Sequence, residues 1–113
     1  MADFVWHAFA NGGTLGRAGS EQGTIMRDEE YSLGARISLE RGCRAAPFAI
    51  TCGIYGWMMH TRFFSSQYEA ETQYGAMKSA LAMLLEVAQK TAAIDGGRQV
   101  LMAGVSKFVE MFP

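Results

Sequence analysis

Residues 47–64 form the longest β-like run in the chain, with Pro47 at one end and Phe64 at the other. As one straight strand this run would span roughly 60 Å at about 3.3 Å per residue, too long for so small a domain. Something must bend or reverse it. Before the glycines the bulky residues are even-numbered: Phe48, Ile50, Cys52 and Ile54. After them the core-like set is odd (Trp57, Met59, Phe63), and the polar His60 and Arg62 fall on even positions. One inserted residue produces such a switch of face. Gly53 and Gly56 supply permissive backbone for it. The sequence therefore predicts a bent strand with a bulge near Gly53-Ile54-Tyr55-Gly56. A hairpin turning at these residues is the competing reading, disfavoured because Ile-Tyr is poor chemistry for a tight turn.

The remaining elements follow from periodicity. Residues 66–92 predict a helix, opened by the Ser66/Glu69 capping-box spacing. One apolar stripe runs Ala70, Tyr74, Met77, Leu81, Leu84, Ala88; a second runs Ala76, Ala80, Met83, Val87. Two stripes imply burial on more than one side, against the sheet and against a C-terminal helix or another subunit. Asp95-Gly96-Gly97 breaks the chain. Residues 98–112 then predict a second helix with Leu101, Val105, Phe108 and Phe112 aligned, a strand being the alternative. In 33–41, Leu33, Ala35, Ile37 and Leu39 alternate with Gly34, Arg36, Ser38 and Glu40, which predicts a strand with one dry and one wet face. Weaker strands are expected over 22–29 and 3–10. Between them, four glycines in Asn11–Ser20 mark a flexible loop.

The implied fold is α+β: an antiparallel sheet of three or four strands, a long helix on one face and a C-terminal helix. A chain of 113 residues that is half hydrophobic fits a single domain, 1–113, and is not a disordered chain. No apolar run is long enough for a membrane-spanning helix. The opening Met1–His7 lacks a basic and then apolar pattern, so no secretory signal is expected. Cys43 and Cys52 fall out of register on neighbouring strands, which disfavours a disulfide and points to a reducing, cytoplasmic setting. The two cysteines and two histidines show no zinc spacing, so no metal or cofactor is expected.

With the parity switch applied, Thr51, Met58, His60, Arg62 and Phe64 share the outer sheet face with Arg36, Ser38 and Glu40. His60 is then the candidate acid or base. Arg62 and Arg36 are candidate anion clamps, with Tyr55 beside the bend. A solvated face is the plainer reading of the same residues, although Met58 and Phe64 sit badly in water. The glycine loop lacks the Lys-Ser/Thr ending of a phosphate-binding loop. Arg36, Arg41, Arg44 and Arg62 make a local basic excess. Overall, however, 10 basic residues balance 11 acidic ones, which argues against nucleic acid as a partner.

Two functional expectations result. The first is a homodimeric interaction or binding module. A short chain with eight methionines, a two-striped helix and a mixed outer face gains by pairing. The second is a small enzyme, or a protein binding a small anion, with its site around His60 and Arg62.

Overall fold

The computed structural model describes residues 4–92 and 96–113. The fold is α+β, with five strands where three or four were expected. They are β1 (Trp6–Ala8), β2 (Thr24–Tyr31), β3 (Ala35–Arg41), β4 (Phe48–Ile54) and β5 (Met58–Phe64). They form one antiparallel meander in the order β1-β2-β3-β4-β5. Helix α1 (Gln67–Thr91) and helix α2 (Gly97–Met111) follow. The strand expected from residue 3 begins at Trp6; Asp3 itself, like Asp95 of the expected break, lies outside the described residues.

The bent strand is corrected to a hairpin. A β-turn over Ile54–Trp57 is closed by the Trp57 N–H donating to the Ile54 carbonyl at 2.9 Å. Gly56 takes φ +81°, the left-handed region that its place in such a turn demands. The Tyr55 N–H also donates to the Gly34 carbonyl at 3.0 Å. The turn thus leans on the β2–β3 connection, and this tertiary support offsets its poor local chemistry. Across the hairpin Ile54 pairs with Met58, Cys52 with His60, Ile50 with Arg62 and Phe48 with Phe64. No parity switch occurs: the even residues of both strands share one face. The bulge lies instead in β2, where pairing with β3 slips between Ile25 and Arg27.

That shared face is the core. Ala35, Ile37, Leu39, Ile50, Cys52 and Ile54 pack beneath α1 and are all buried. α1 meets them with Ala70, Tyr74, Met77, Leu81 and Leu85, the first apolar stripe widened by Leu85. Each large side chain so buried contributes about 1.5–3 kcal/mol. The Ser66 hydroxyl accepts the Glu69 N–H at 3.2 Å and so starts the helix where the capping spacing places it. The helix expected over 98–112 is present as α2, Gly97–Met111, with Phe112 just past its end. α2 buries Phe108 and Phe112, and Val105 packs at the core's margin together with Ala80 and Leu84 of α1. The second α1 stripe is only partly used, since Met83 and Val87 stay exposed.

Four polar bonds tie β2 to α1, the outermost from Arg27 Nε to Glu71 at 2.6 Å. Tyr31 donates to Glu86 at 2.5 Å, Tyr74 donates to Glu29 at 2.7 Å, and the Lys78 ammonium donates to Glu29 at 2.9 Å. Burial, and then the bond to Glu86, push the Tyr31 phenol up to about 12 from its ordinary 10.0. A phenol whose value is higher in the folded state stabilises the fold fully below pH 10.0 and loses that contribution as pH rises through about 12. Urea unfolding followed across this window is expected to show falling stability, and Tyr31→Phe is expected to make that alkaline limb shallower, the share of the other raised phenols, Tyr55 and Tyr74, remaining.

Candidate binding groove on the open sheet face

The helices cover one face of the sheet, and the other face carries the groove. Its floor is made of small residues, Ser38 on β3 with Thr51 and Gly53 on β4. One wall is Gly19, Ser20 and Ile25; the other is the β4–β5 turn with Tyr55, Trp57 and Met59. The space between holds about 640 Å³. Hydroxyls of Ser20, Ser38 and Thr51 punctuate a mainly apolar lining, the composition of a site for a small organic molecule.

The first wall is built by the glycine-rich segment, and the expectation of a flexible loop is corrected. The Gly16 N–H donates to the Ile25 carbonyl, and the Ile25 N–H to the Arg17 carbonyl, both at 2.9 Å. The Gly19 N–H donates to Gly23 at 3.0 Å, and Ala18 bridges to Thr24. Glu40, expected on a wet face, is only 1% exposed. Its carboxylate accepts the N–H groups of Glu21 and Gly23, each at 3.1 Å. A Cβ on Gly19 would come within 2.3 Å of the Glu40 carboxyl carbon. Here glycine serves close approach to a buried acid. It holds the segment against the sheet.

The second wall is anchored by Tyr55, which donates to Glu30 at 2.5 Å while His7 Nε2 lies 3.2 Å from the same carboxylate. These bonds, the one from Tyr55 first, hold Glu30 below the usual carboxylate range. Burial and then Glu30 push Tyr55 up to about 12. At the end of the floor, Arg36 grips Asp28 with two bonds of 2.9 and 2.6 Å and stacks 3.5 Å from the Phe9 ring centre. Thr14 donates to the same Asp28 at 2.8 Å, and the Asp28 side chain is fully buried. The guanidinium fork of Arg36 is therefore occupied by a neutralising partner, and the groove offers hydrogen bonds without free positive charge.

Of the four residues singled out from sequence, Arg36 and Tyr55 line the groove. His60 and Arg62 do not; they lie on the helix-covered face. The placement of these two on the outer face is corrected, with Met58 and Phe64 accompanying them to the helix side. The His60 Nε2–H donates to the Phe112 carbonyl at 2.5 Å. Arg62 donates through Nε to the Pro113 carbonyl at 3.1 Å and through Nη1 to Gln73 Oε1 at 2.7 Å. Both side chains donate to backbone carbonyls just past the end of α2, where positive or donating groups are favoured by the nearby helix terminus. Burial holds the Arg62 guanidinium below its usual value. Sequence reasoning missed Trp57 and Met59 as walls and took them for core. The signal available was their exposed position beside Gly56, which is visible only once the turn is placed.

Cys43 and Cys52 are free thiols. Burial lifts Cys52 to about 12, and burial with Glu40 and Glu21 lifts Cys43, so neither is poised as a nucleophile. Among the described residues no three of His, Cys, Asp and Glu gather to hold a metal ion, and no helix is long and apolar enough to cross a membrane. Comparison with family models, with curated proteins and with solved structures gives no match for this chain.

Two outcomes follow from this geometry. His60→Ala and Arg62→Ala are each expected to lower unfolding stability by about 1–2 kcal/mol, the worth of donors at a helix C-terminus, measured by urea titration. Glu40→Leu removes the oxygen that accepts both N–H groups at similar side-chain size and is expected to cost at least about 1–3 kcal/mol. Hydrogen exchange should then show faster exchange at the amides of Glu21 and Gly23 than in the wild-type protein; unchanged exchange there would contradict the assigned role.

Proposed function

We propose that this protein is a self-associating binding module that takes a small, flat, uncharged and mainly apolar molecule into the groove on its open sheet face. The observation that supports this most is the small-residue floor between two walls that are each fixed from behind, one by Glu40 and the other by Glu30. Such a site is formed in advance, so a ligand does not bear the cost of ordering it. The exposed Trp57 and Met59 offer an aromatic plane and an adaptable thioether, and the three hydroxyls orient a polar group on the ligand. Arg36 positions Asp28 and Phe9 and does not act as an anion clamp. Free thiols in the folded chain fit the reducing cytoplasm as its place of work.

N-phenyl-1-naphthylamine, an uncharged apolar fluorophore, is a suitable probe. The wild-type protein is expected to bind it at one site per chain with a blue-shifted emission. Thr51→Phe, which fills the floor from a partly exposed position, should weaken binding at least about tenfold, equivalent to 1.4 kcal/mol, while leaving the unfolding midpoint near that of the wild type. Absence of binding by the folded wild-type protein, or equal binding by Thr51→Phe, would overturn the reading.

A further inference from the structure

Resting on the self-association reading, we infer that two copies join edge to edge through β5, antiparallel about a two-fold axis at Thr61, and that each copy thereby lends a residue to the rim of the other's groove.

β5 is a sheet edge of seven residues, whereas the opposite edge, β1, has three. Sheet edges are ordinarily guarded by shortness, by lysine or proline, or by a bulge. β1 is guarded by shortness. β5 reads Met-Met-His-Thr-Arg-Phe-Phe, pairs with β4 in unbroken register and has no lysine, proline or bulge, so that an inward-turned arginine is its one guard. Its one cation, Arg62, is turned to the helix side and bonded to Gln73 and Pro113. Such an edge presents backbone N–H and C=O groups that only another extended chain satisfies in a row.

The side chains indicate which chain that is. On the open face β5 shows Met59, Thr61 and Phe63, with Met59 82% and Phe63 46% exposed. Antiparallel pairing about Thr61, the midpoint of β5, uses all seven residues. It sets Met59 opposite Phe63 of the second copy, a thioether against an aromatic ring. Moving the axis by one residue keeps each side chain on its face but pairs Met59 with threonine or leaves it outside the ladder. On the helix side His60 falls opposite Arg62 of the second copy, each already committed to the end of α2. The net charge of -1 raises little repulsion between copies. Because Met59 also lines the groove, Phe63 of the second copy extends the wall on that side.

The test combines light scattering with variants on the exposed side of β5. The wild-type chain is expected at twice its 12.4 kDa mass at high micromolar concentration. Met59→Lys combined with Phe63→Lys sets two ammonium groups against each other across the seam and should give monomers. Met59→Lys combined with Phe63→Glu sets opposite charges across it and should restore the dimer. Thr61→Cys, in a Cys43→Ser background, should form an intermolecular disulfide on mild oxidation, since directly opposed residues lie within bridging distance. A monomeric wild type overturns self-association and this interface together. A dimer that survives the double lysine change, or that fails to cross-link at position 61, leaves self-association standing and overturns the edge pairing.

Discussion

A five-stranded sheet has two faces, and the described residues supply α-helices for only one. That constraint governs the rest of the molecule. α1 lies over the even residues of β4 and β5 and the odd residues of β3, where the continuous apolar core forms. α2 adds Phe108 and Phe112 at the margin of that core and ends over β5. Among the described residues no α-helix lies on the opposite face, and the chain treats it differently. It lays the glycine-rich segment over part of it, fixes that segment with the buried Glu40, and leaves a groove of about 640 Å³ beside it.

Charge is arranged so that little of it is free on the open face. Asp28 is neutralised by Arg36, Glu30 is bonded by Tyr55 and faces His7, and Glu40 takes two backbone N–H groups. A buried carboxylate without partners costs several kcal/mol, so the pairings of Asp28 and Glu40 are conditions for folding before they are anything else. They also set what the groove can receive. With its cation committed and its acids satisfied, it recognises shape, apolar surface and hydrogen-bonding groups. His60, the candidate acid or base, is turned away from the groove, with its imidazole bonded to the Phe112 carbonyl.

Much of the fold was legible in sequence. The Ser66 cap, the stripe from Ala70 to Leu85 and the alternation of Ala35, Ile37 and Leu39 are local patterns, and each lies where its period places it. What was not legible depended on partners far along the chain. His60 and Arg62 looked solvent-facing because polar residues seldom sit under helices, yet their partners are carbonyls about 50 residues away. Glu40 was placed on the right face but looked exposed there, because its partners are amides of a segment that reads as loop. The Ile54–Trp57 turn looked improbable because its support from Gly34 is tertiary. Of the candidate site, Arg36 and Tyr55 were found, while Trp57 and Met59 were lost when the face of β5 was assigned wrongly.

The assignment of faces on β5 is the claim on which groove and edge both depend, and the two histidines report on it. Carbethoxylation by diethyl pyrocarbonate, followed by peptide mass analysis under native conditions, compares His7, whose side chain is 52% exposed, with His60, whose Nε2 is engaged by Phe112. The account predicts rapid modification of His7 and strong protection of His60 until the protein is unfolded. Modification of His60 at the rate of His7 in the folded chain would place the even residues of β5 on the open face and contradict it.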